Sequence, residues 1–200
     1  MKFGNEEKEA MNINITEEPL TSLAEYARVP ISFEVNQVMD VSEDGLGGFT
    51  LSPRRHDKPY IKDYDAITGE GPLEWAKRFD LTNWGFFMAR VEGRCVGGAA
   101  MAWKCAGCGM LEGRTDLAVM WDIRVAPEVR RQGIGSALFR AAEAWSVARG
   151  CTQLKVETQS INVAACRFYA RQGCVLKTVN PLANPQFPEE IQLLWYKTIA

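Results

Sequence analysis

Apolar residues along the chain fall either into short runs or into alternation with polar ones, and both patterns mark elements of ordinary length. Residues 31–41 are rich in β-formers and are expected to begin a sheet. Residues 45–71 are charged and turn-rich, and read as a long connection with strand character only around 49–52. Residues 72–79 have helical spacing through Leu73, Ala76 and Phe79, with Pro72 near the start. Two apolar runs, 84–91 and 96–103, flank Glu92, Gly93 and Arg94 and predict a β-hairpin.

Residues 116–125 predict a further strand, stopped by Ala126 and Pro127. Over 134–149, Ile134, Leu138, Ala141 and Trp145 line one helical face, and Gly150 suits the stop. Residues 151–158 alternate as a strand. Asn162 reads as the N-cap of a short helix reaching Gln172 and closed by Gly173. Residues 175–179 and 191–199 complete the sheet. This mixture excludes an all-α bundle and a β-sandwich, and leaves an α/β (α+β) fold with a mixed sheet flanked by helices.

Two hundred residues make about one domain. We take residues 1–200 as that domain, with 1–14 expected to be flexible. With 46% hydrophobic and 24% charged residues, the chain can fill a core without disulfides or a metal. The 23 basic and 25 acidic residues leave a net charge of −2. That argues against nucleic acid as a partner. The charge is uneven, however. Residues 1–50 hold ten acidic and three basic groups, and the rest of the chain carries a basic excess. An acidic front and a basic back suit a protein that handles a cation with one part and an anion with the other; solvated faces would look the same.

The first residues are charged and lack an apolar signal region, and no apolar run approaches the ~20 residues of a membrane span. The expected setting is cytoplasmic and membrane-free, with the six cysteines reduced. Cys105 and Cys108 form a CxxC, but no second Cys or His pair stands at zinc spacing, so no metal site is expected. His56, the sole histidine, reads as a surface residue. A homodimer stays open.

The most informative segment follows the strand at 116–125. A polar turn carries Arg130 and Arg131, and then Gln132, Gly133, Ile134, Gly135 and Ser136 open a helix. Glycines there let backbone N–H groups turn toward one point, and a helix start adds unpaired donors and about half a positive charge. Such a loop seats phosphate oxygens. It is not a P-loop, because no G-x-x-x-x-G-K-[ST] occurs. A dinucleotide fingerprint fails at Leu138, where a small residue is needed for close helix packing.

Arg130–Gly135 reads R-x-x-G-x-G, and this resembles the pyrophosphate loop of the GNAT family of N-acetyltransferases. The next block, with Glu157, Thr158, Gln159, Asn162, Cys166, Tyr169 and Gly173, resembles that family's second coenzyme A motif. It is particularly similar to the streptothricin acetyltransferases. The resemblance covers roughly residues 84–175, taken as the acetyl-CoA-binding core. It implies a GNAT-like, mostly antiparallel sheet and transfer of an acetyl group from acetyl-CoA to a primary amine by direct attack through a tetrahedral intermediate. It further implies that Ile123, Arg124 and Val125 pair with pantetheine through their backbone, and that the Val125 N–H faces the thioester oxygen. The amides of Arg131–Ser136 would hold the pyrophosphate with Arg130 at the rim, and Asn162 would orient the pantetheine arm beside Phe168.

That chemistry needs an acid for the departing thiolate and a base for the ammonium. Tyr169, two turns into a helix opened by Asn162, is the candidate acid. Asp122 and Glu157 are the candidate bases, because a carboxylate on a buried strand can hold a raised pKa. Strand alternation places Asp122 and Arg124 on one face and Trp121, Ile123 and Val125 on the other, so a structural Asp122–Arg124 contact is the competing reading. A bulge would change that facing. The acceptor is expected to meet carboxylates and aromatics of the first half: Glu34, Asp40, Glu43, Asp44, Asp63 and Asp65, with Tyr60, Tyr64, Trp84 and Trp103. A small cationic amine fits that set, and the resemblance points to one of streptothricin type; a protein amine as acceptor and a non-catalytic acyl-CoA sensor are the alternatives.

Overall fold

Nine strands and four α-helices alternate along residues 12–200, the part of the chain that the computed structural model describes. In chain order these are β1 (Asn14–Glu18), α1 (Leu23–Tyr26), β2 (Phe33–Glu43), β3 (Phe49–Lys62), α2 (Trp75–Arg78), β4 (Gly85–Val91), β5 (Arg94–Ala102) and β6 (Leu117–Val125). After them come α3 (Ile134–Ala148), β7 (Gln153–Gln159), α4 (Val163–Arg171), β8 (Val175–Asn180) and β9 (Gln192–Thr198). Seven strands form one sheet in the order β1-β4-β5-β6-β7-β9-β8, in which only β6 and β7 run parallel. This is the mixed, mostly antiparallel sheet flanked by helices that the resemblance implies. Among the described residues, no helix is long and apolar enough to cross a membrane.

Three expectations are corrected. The sheet begins at β1, which pairs with β4 from Asn14↔Arg90 to Glu18↔Phe86, and not at residues 31–41. Its five residues, with polar Asn14, Thr16, Glu17 and Glu18, carry too little alternation to be recognised. Of the stretch expected to be flexible, residues 1–11 lie outside the described residues.

Residues 31–41 instead contribute β2, which pairs only with β3 in a separate two-stranded arm. The connection expected over 45–71 therefore holds a 14-residue strand. Pro53, Pro59 and a run of charges disguise it, and an arm of two edge strands tolerates both. In the segment 72–79, a 3-10 turn leads into the single turn of α2, and Pro72 and Trp75 are buried while Leu73 is exposed.

The sheet separates two apolar clusters. On one face α3 and α4 pack Leu138, Phe139, Trp145, Cys166 and Tyr169 against Ala118 and Met120. On the other, Tyr26, Trp75, Trp84 and Phe86 pack against Val119, with Phe79 and Trp121 beside them. Cys105 and Cys108 belong to this second cluster, buried and unbridged. Gly98 makes room for Tyr26 there, since a Cβ would stand 2.5 Å from the tyrosine ring and from the Phe87 carbonyl oxygen.

Candidate functional site

The sheet opens where its parallel pair ends. β6 and β7 are in register from Leu117↔Gln153 only as far as Met120↔Val156. On its other side β6 passes from Met120↔Met101 to Asp122↔Ala100, so Trp121 is an extra, bulged residue. Beyond it β6 stays bound to β5 but no longer pairs with β7. A cleft of about 1210 Å³ fills the gap, lined by both strand ends, the loop before α3, and α4.

The bulge also reverses the side-chain facing of β6. Before it, Ala118 and Met120 point to the α3 side; after it, Ile123 and Val125 do. Trp121 therefore shares the opposite face with Asp122 and Arg124, which corrects the alternation expected from sequence. The free edge of β6 follows from its remaining hydrogen bonds. Ala126 N–H donates to Val96 on the β5 side, so one residue earlier the N–H and C=O of Val125 point to the open side, as do those of Ile123.

The loop after β6 is held in a left-handed curl. Arg131 and Gly133 both have positive φ, +63° and +89°, a conformation that costs a side-chain-bearing residue about 1–2 kcal/mol. Gly133 precedes the first turn of α3, which has no side-chain cap, so its first N–H groups are unclaimed by one. At Gly135 a Cβ would touch the Phe168 ring at 3.4 Å, so the glycine lets Phe168 lie against the helix start. Ser136 accepts a 3.0 Å hydrogen bond from Gln172. Arg131, Gly133, Ile134, Gly135 and Ser136 line the cleft, whereas Gln132 is exposed and does not. Arg130 lines it too, but its guanidinium is bound to the carbonyls of Val125 and Ser32 at 2.9 and 3.1 Å, so it braces the loop.

Asn162 caps α4, its Oδ1 accepting from Ala165 N–H at 3.0 Å. Tyr169, buried on that helix with its ring edge against Phe168, reaches the cleft, and no side chain among the described residues hydrogen-bonds its hydroxyl. Burial, reinforced by the charge of Asp122, pushes its pKa well above that of a free tyrosine, so it remains a proton donor.

The two candidate bases differ. The Asp122 side chain, 6% exposed, is bound by Arg124 at 2.7 and 2.9 Å and by the Tyr26 hydroxyl. The Arg124 side chain, 1% exposed, also binds Asp65 at 2.6 Å and the Val29 carbonyl. This network joins β6 to α1 and to the segment before α2; it is the structural contact that competed with catalysis. It occupies the Arg124 side chain, and the Arg124 backbone faces Gly98 of β5, so neither points to the open edge. Glu157, just beyond the last residue of β7 that pairs with β6 and still paired with Leu194 of β9, has no ion-pair partner among the described residues. Burial raises its pKa above the ordinary 4.5, against smaller opposing effects of Gln192 and Gln159.

The far wall was largely missed. Of the acceptor candidates, only Tyr64 and Asp65 line the cleft. Asp40 pairs with Arg54 on the arm, Asp44 closes the arm's turn, and Trp84 is core. No acidic residue between 12 and 50 lines the cleft, so the front-loaded charge is no guide to it. Its carboxylates are Asp65, Glu70, Asp122, Glu157 and Glu190, joined by Phe33, Trp75 and Phe187. Glu190, 2% exposed, forms a buried pair with Lys62, whose ammonium lies 3.6 Å from the centre of the Phe187 ring. Nothing local in 181–190 announces this; its partners are more than 120 residues away.

Comparison with known proteins agrees with this geometry. Residues 53–174 match the model of the acetyltransferase (GNAT) family. The chain is 30% identical over 169 residues to a streptothricin acetyltransferase of Escherichia coli, covering 82% of this chain and 84% of that one. It is 28% identical to streptothricin acetyltransferase A of Bacillus subtilis, over 75% and 80% of the two chains. Among solved structures, a nourseothricin acetyltransferase superposes with a TM-score of 0.73 at 22% identity, covering 94% of this chain and 99% of that one. A Bacillus anthracis protein assigned as a streptothricin acetyltransferase, solved in complex with acetyl coenzyme A, superposes at 0.76 and 21%, covering 94% and 100%.

Proposed function

The chain belongs to the GNAT acetyltransferase family, and from that premise we propose that it transfers the acetyl group of acetyl-CoA to a primary amine of a small cationic molecule of the streptothricin type. One observation carries the reading: the gap between β6 and β7 brings a free strand edge, a helix start, a buried tyrosine hydroxyl and a buried unpaired carboxylate into a single cleft.

The cleft suits acetyl-CoA by its donor set. Ile123 and the Val125 N–H offer backbone groups at the open edge to an amide-bearing arm, and the start of α3 offers N–H groups to a pyrophosphate. Bound there, acetyl-CoA supplies the thioester that the amine attacks. Val125 N–H supports the carbonyl oxygen as it gains charge. Tyr169 gives its proton to the departing sulfur, a role its burial and free hydroxyl allow. Glu157 takes the proton of the amine, and its raised pKa moves it toward the working range of a base. Asp65, Glu70 and the faces of Tyr64 and Trp75 form a wall suited to a polyamine cation.

The test is thermal shift with CoA, acetyl-CoA and NAD, followed by thiol release from acetyl-CoA with streptothricin, other polyamines and peptides as acceptors. Stabilisation by CoA, with release fastest for streptothricin, is the expected result. Stabilisation by NAD alone overturns the family-based reading, and CoA binding with no release for any amine returns the chain to an acyl-CoA sensor.

A further inference from the structure

Glu157 stands at the end of a hydrogen-bond chain that the chemistry above leaves unused. Gln159, two residues along β7 and on the same face, donates from Nε2 to Glu157 Oε1 at 3.0 Å. Its Oε1 accepts from the Tyr64 hydroxyl at 2.8 Å. That hydroxyl also lies 3.2 Å from Glu190 Oε2, while the other Glu190 oxygen is held by the Lys62 ammonium. All of these except Lys62 line the cleft.

The order of donors is constrained. A primary amide offers an acceptor on one side and donors on the other, and a tyrosine hydroxyl has a single proton to give. Glu190 is already held by the Lys62 ammonium, and the Tyr64 hydroxyl makes its shorter contact to Gln159, at 2.8 Å against 3.2 Å, so we assign its proton to Gln159. With its oxygen engaged by Tyr64, Gln159 can present only its N–H group to Glu157. The flipped amide would set an oxygen against the carboxylate and leave Tyr64 facing a donor.

We propose that Gln159, held in this orientation by Tyr64, is a positioning residue that fixes Glu157 in the cleft and eases its ionisation, so that it can accept the proton of the acceptor amine. This rests on Glu157 acting as the base. Of the other groups around Glu157, only Gln192 acts in the same sense as a hydrogen-bond donor, and Gln159 is the donor whose orientation the chain through Tyr64 fixes. Lys155 of β7 is engaged with Glu112 and the Met110 carbonyl, Glu70 from the segment before α2 opposes ionisation, and Gln192 of β9 assists it. Burial outweighs them all, so the loss of one donor is expected to show directly in the titration.

The sign follows from the charge. Gln159 stabilises the ionised carboxylate, so its removal raises the pKa of Glu157, and the acidic limb of kcat/KM moves to higher pH. A hydrogen bond to a charged acceptor corresponds to about one pH unit. The experiment is a carbon-13 NMR titration of protein labelled at the glutamate carboxyl, with the Glu157 resonance assigned by its loss in Glu157→Gln. Gln159→Met is expected to raise the Glu157 midpoint by about one pH unit and Tyr64→Phe by roughly half as much, with the kcat/KM limb following in each. Gln159→Asn, which keeps the amide but shortens its reach, provides a gentler variant with the same expected direction. Midpoints unchanged in Tyr64→Phe and in either folded Gln159 variant overturn the inference. If instead Glu157→Gln keeps wild-type activity and its acidic limb, the reading of Glu157 as base fails, while the NMR midpoint still reports whether Gln159 controls its ionisation.

Discussion

The wall of the cleft formed by residues 121–136 and the start of α4 presents mainly backbone groups, whereas the wall formed by residues 63–75, 157–159 and 183–190 presents side chains. On the first wall, Ile123 and Val125 expose a strand edge and the loop curls through Arg131 and Gly133 into α3. On the second, the side chains are set by ion pairs and hydrogen bonds that join distant segments: Arg124 to Asp65, Lys62 to Glu190, and Tyr64 to Gln159. Backbone groups at a strand end and a helix start recognise parts common to every acyl-CoA. Side chains drawn from loops can be exchanged, which suits the wall that meets a particular amine.

Tyr169 stands between the walls, and changing it separates chemistry from binding. Its hydroxyl has no side-chain partner among the described residues to strand, so Tyr169→Phe should fold normally. General acid catalysis is worth about 10²–10⁴-fold, so turnover should fall at least about tenfold while the acetyl-CoA Kd stays nearly unchanged. Steady-state kinetics with calorimetric titration of CoA checks both, and wild-type turnover would remove Tyr169 from the mechanism.

The second-largest effect belongs to the side-chain wall. Glu190→Gln leaves the Lys62 ammonium buried without its counter-charge, and removing one partner of a buried pair costs about 3–5 kcal/mol. Because the amide retains one acceptor for Lys62, the lower end of that range is expected in urea unfolding. The KM for the amine should rise more than the acetyl-CoA Kd. Lys62→Met combined with Glu190→Leu should recover most of the stability but not the KM. Equal damage to both ligands would mean that the two walls are one mechanical unit.

What the sequence displays follows the same division. The curled loop before α3 and the Asn162 cap are legible because each is a local rule: glycine where φ is positive, asparagine where a helix N–H lacks an acceptor. The arm of β2 and β3 is hidden by prolines and charges that an edge strand tolerates. The facing of Asp122 cannot be read because one extra residue, Trp121, inverts the alternation after it. Glu70, Phe187 and Glu190 leave no local signal, since their place in the cleft comes only from the folding of distant segments together.

Gly133 probes the backbone wall at moderate size. No atom would obstruct a Cβ there, so Gly133→Ala acts through its φ of +89° alone. A left-handed alanine costs about 1–2 kcal/mol, and a loop relaxing to avoid that strain should weaken acetyl-CoA binding by roughly tenfold. The amine KM should stay within about twofold, as the side-chain wall does not depend on this loop; paired titrations of the two ligands provide the check.

Arg131 gives the smallest effect and the finest distinction. It already adopts the left-handed conformation, at φ +63°, without being glycine. Arg131→Gly removes that strain, about 1–2 kcal/mol, but frees the unfolded chain by about 0.5–1 kcal/mol. The two offset, so Tm should move by no more than about 2–4 °C. The lost charge is exposed and therefore screened by salt. Acetyl-CoA binding should weaken about threefold near 50 mM salt, and that difference should close near 500 mM. If binding instead falls about a hundredfold and stays there at high salt, a side chain supplies the anion seat and the contrast between the two walls fails.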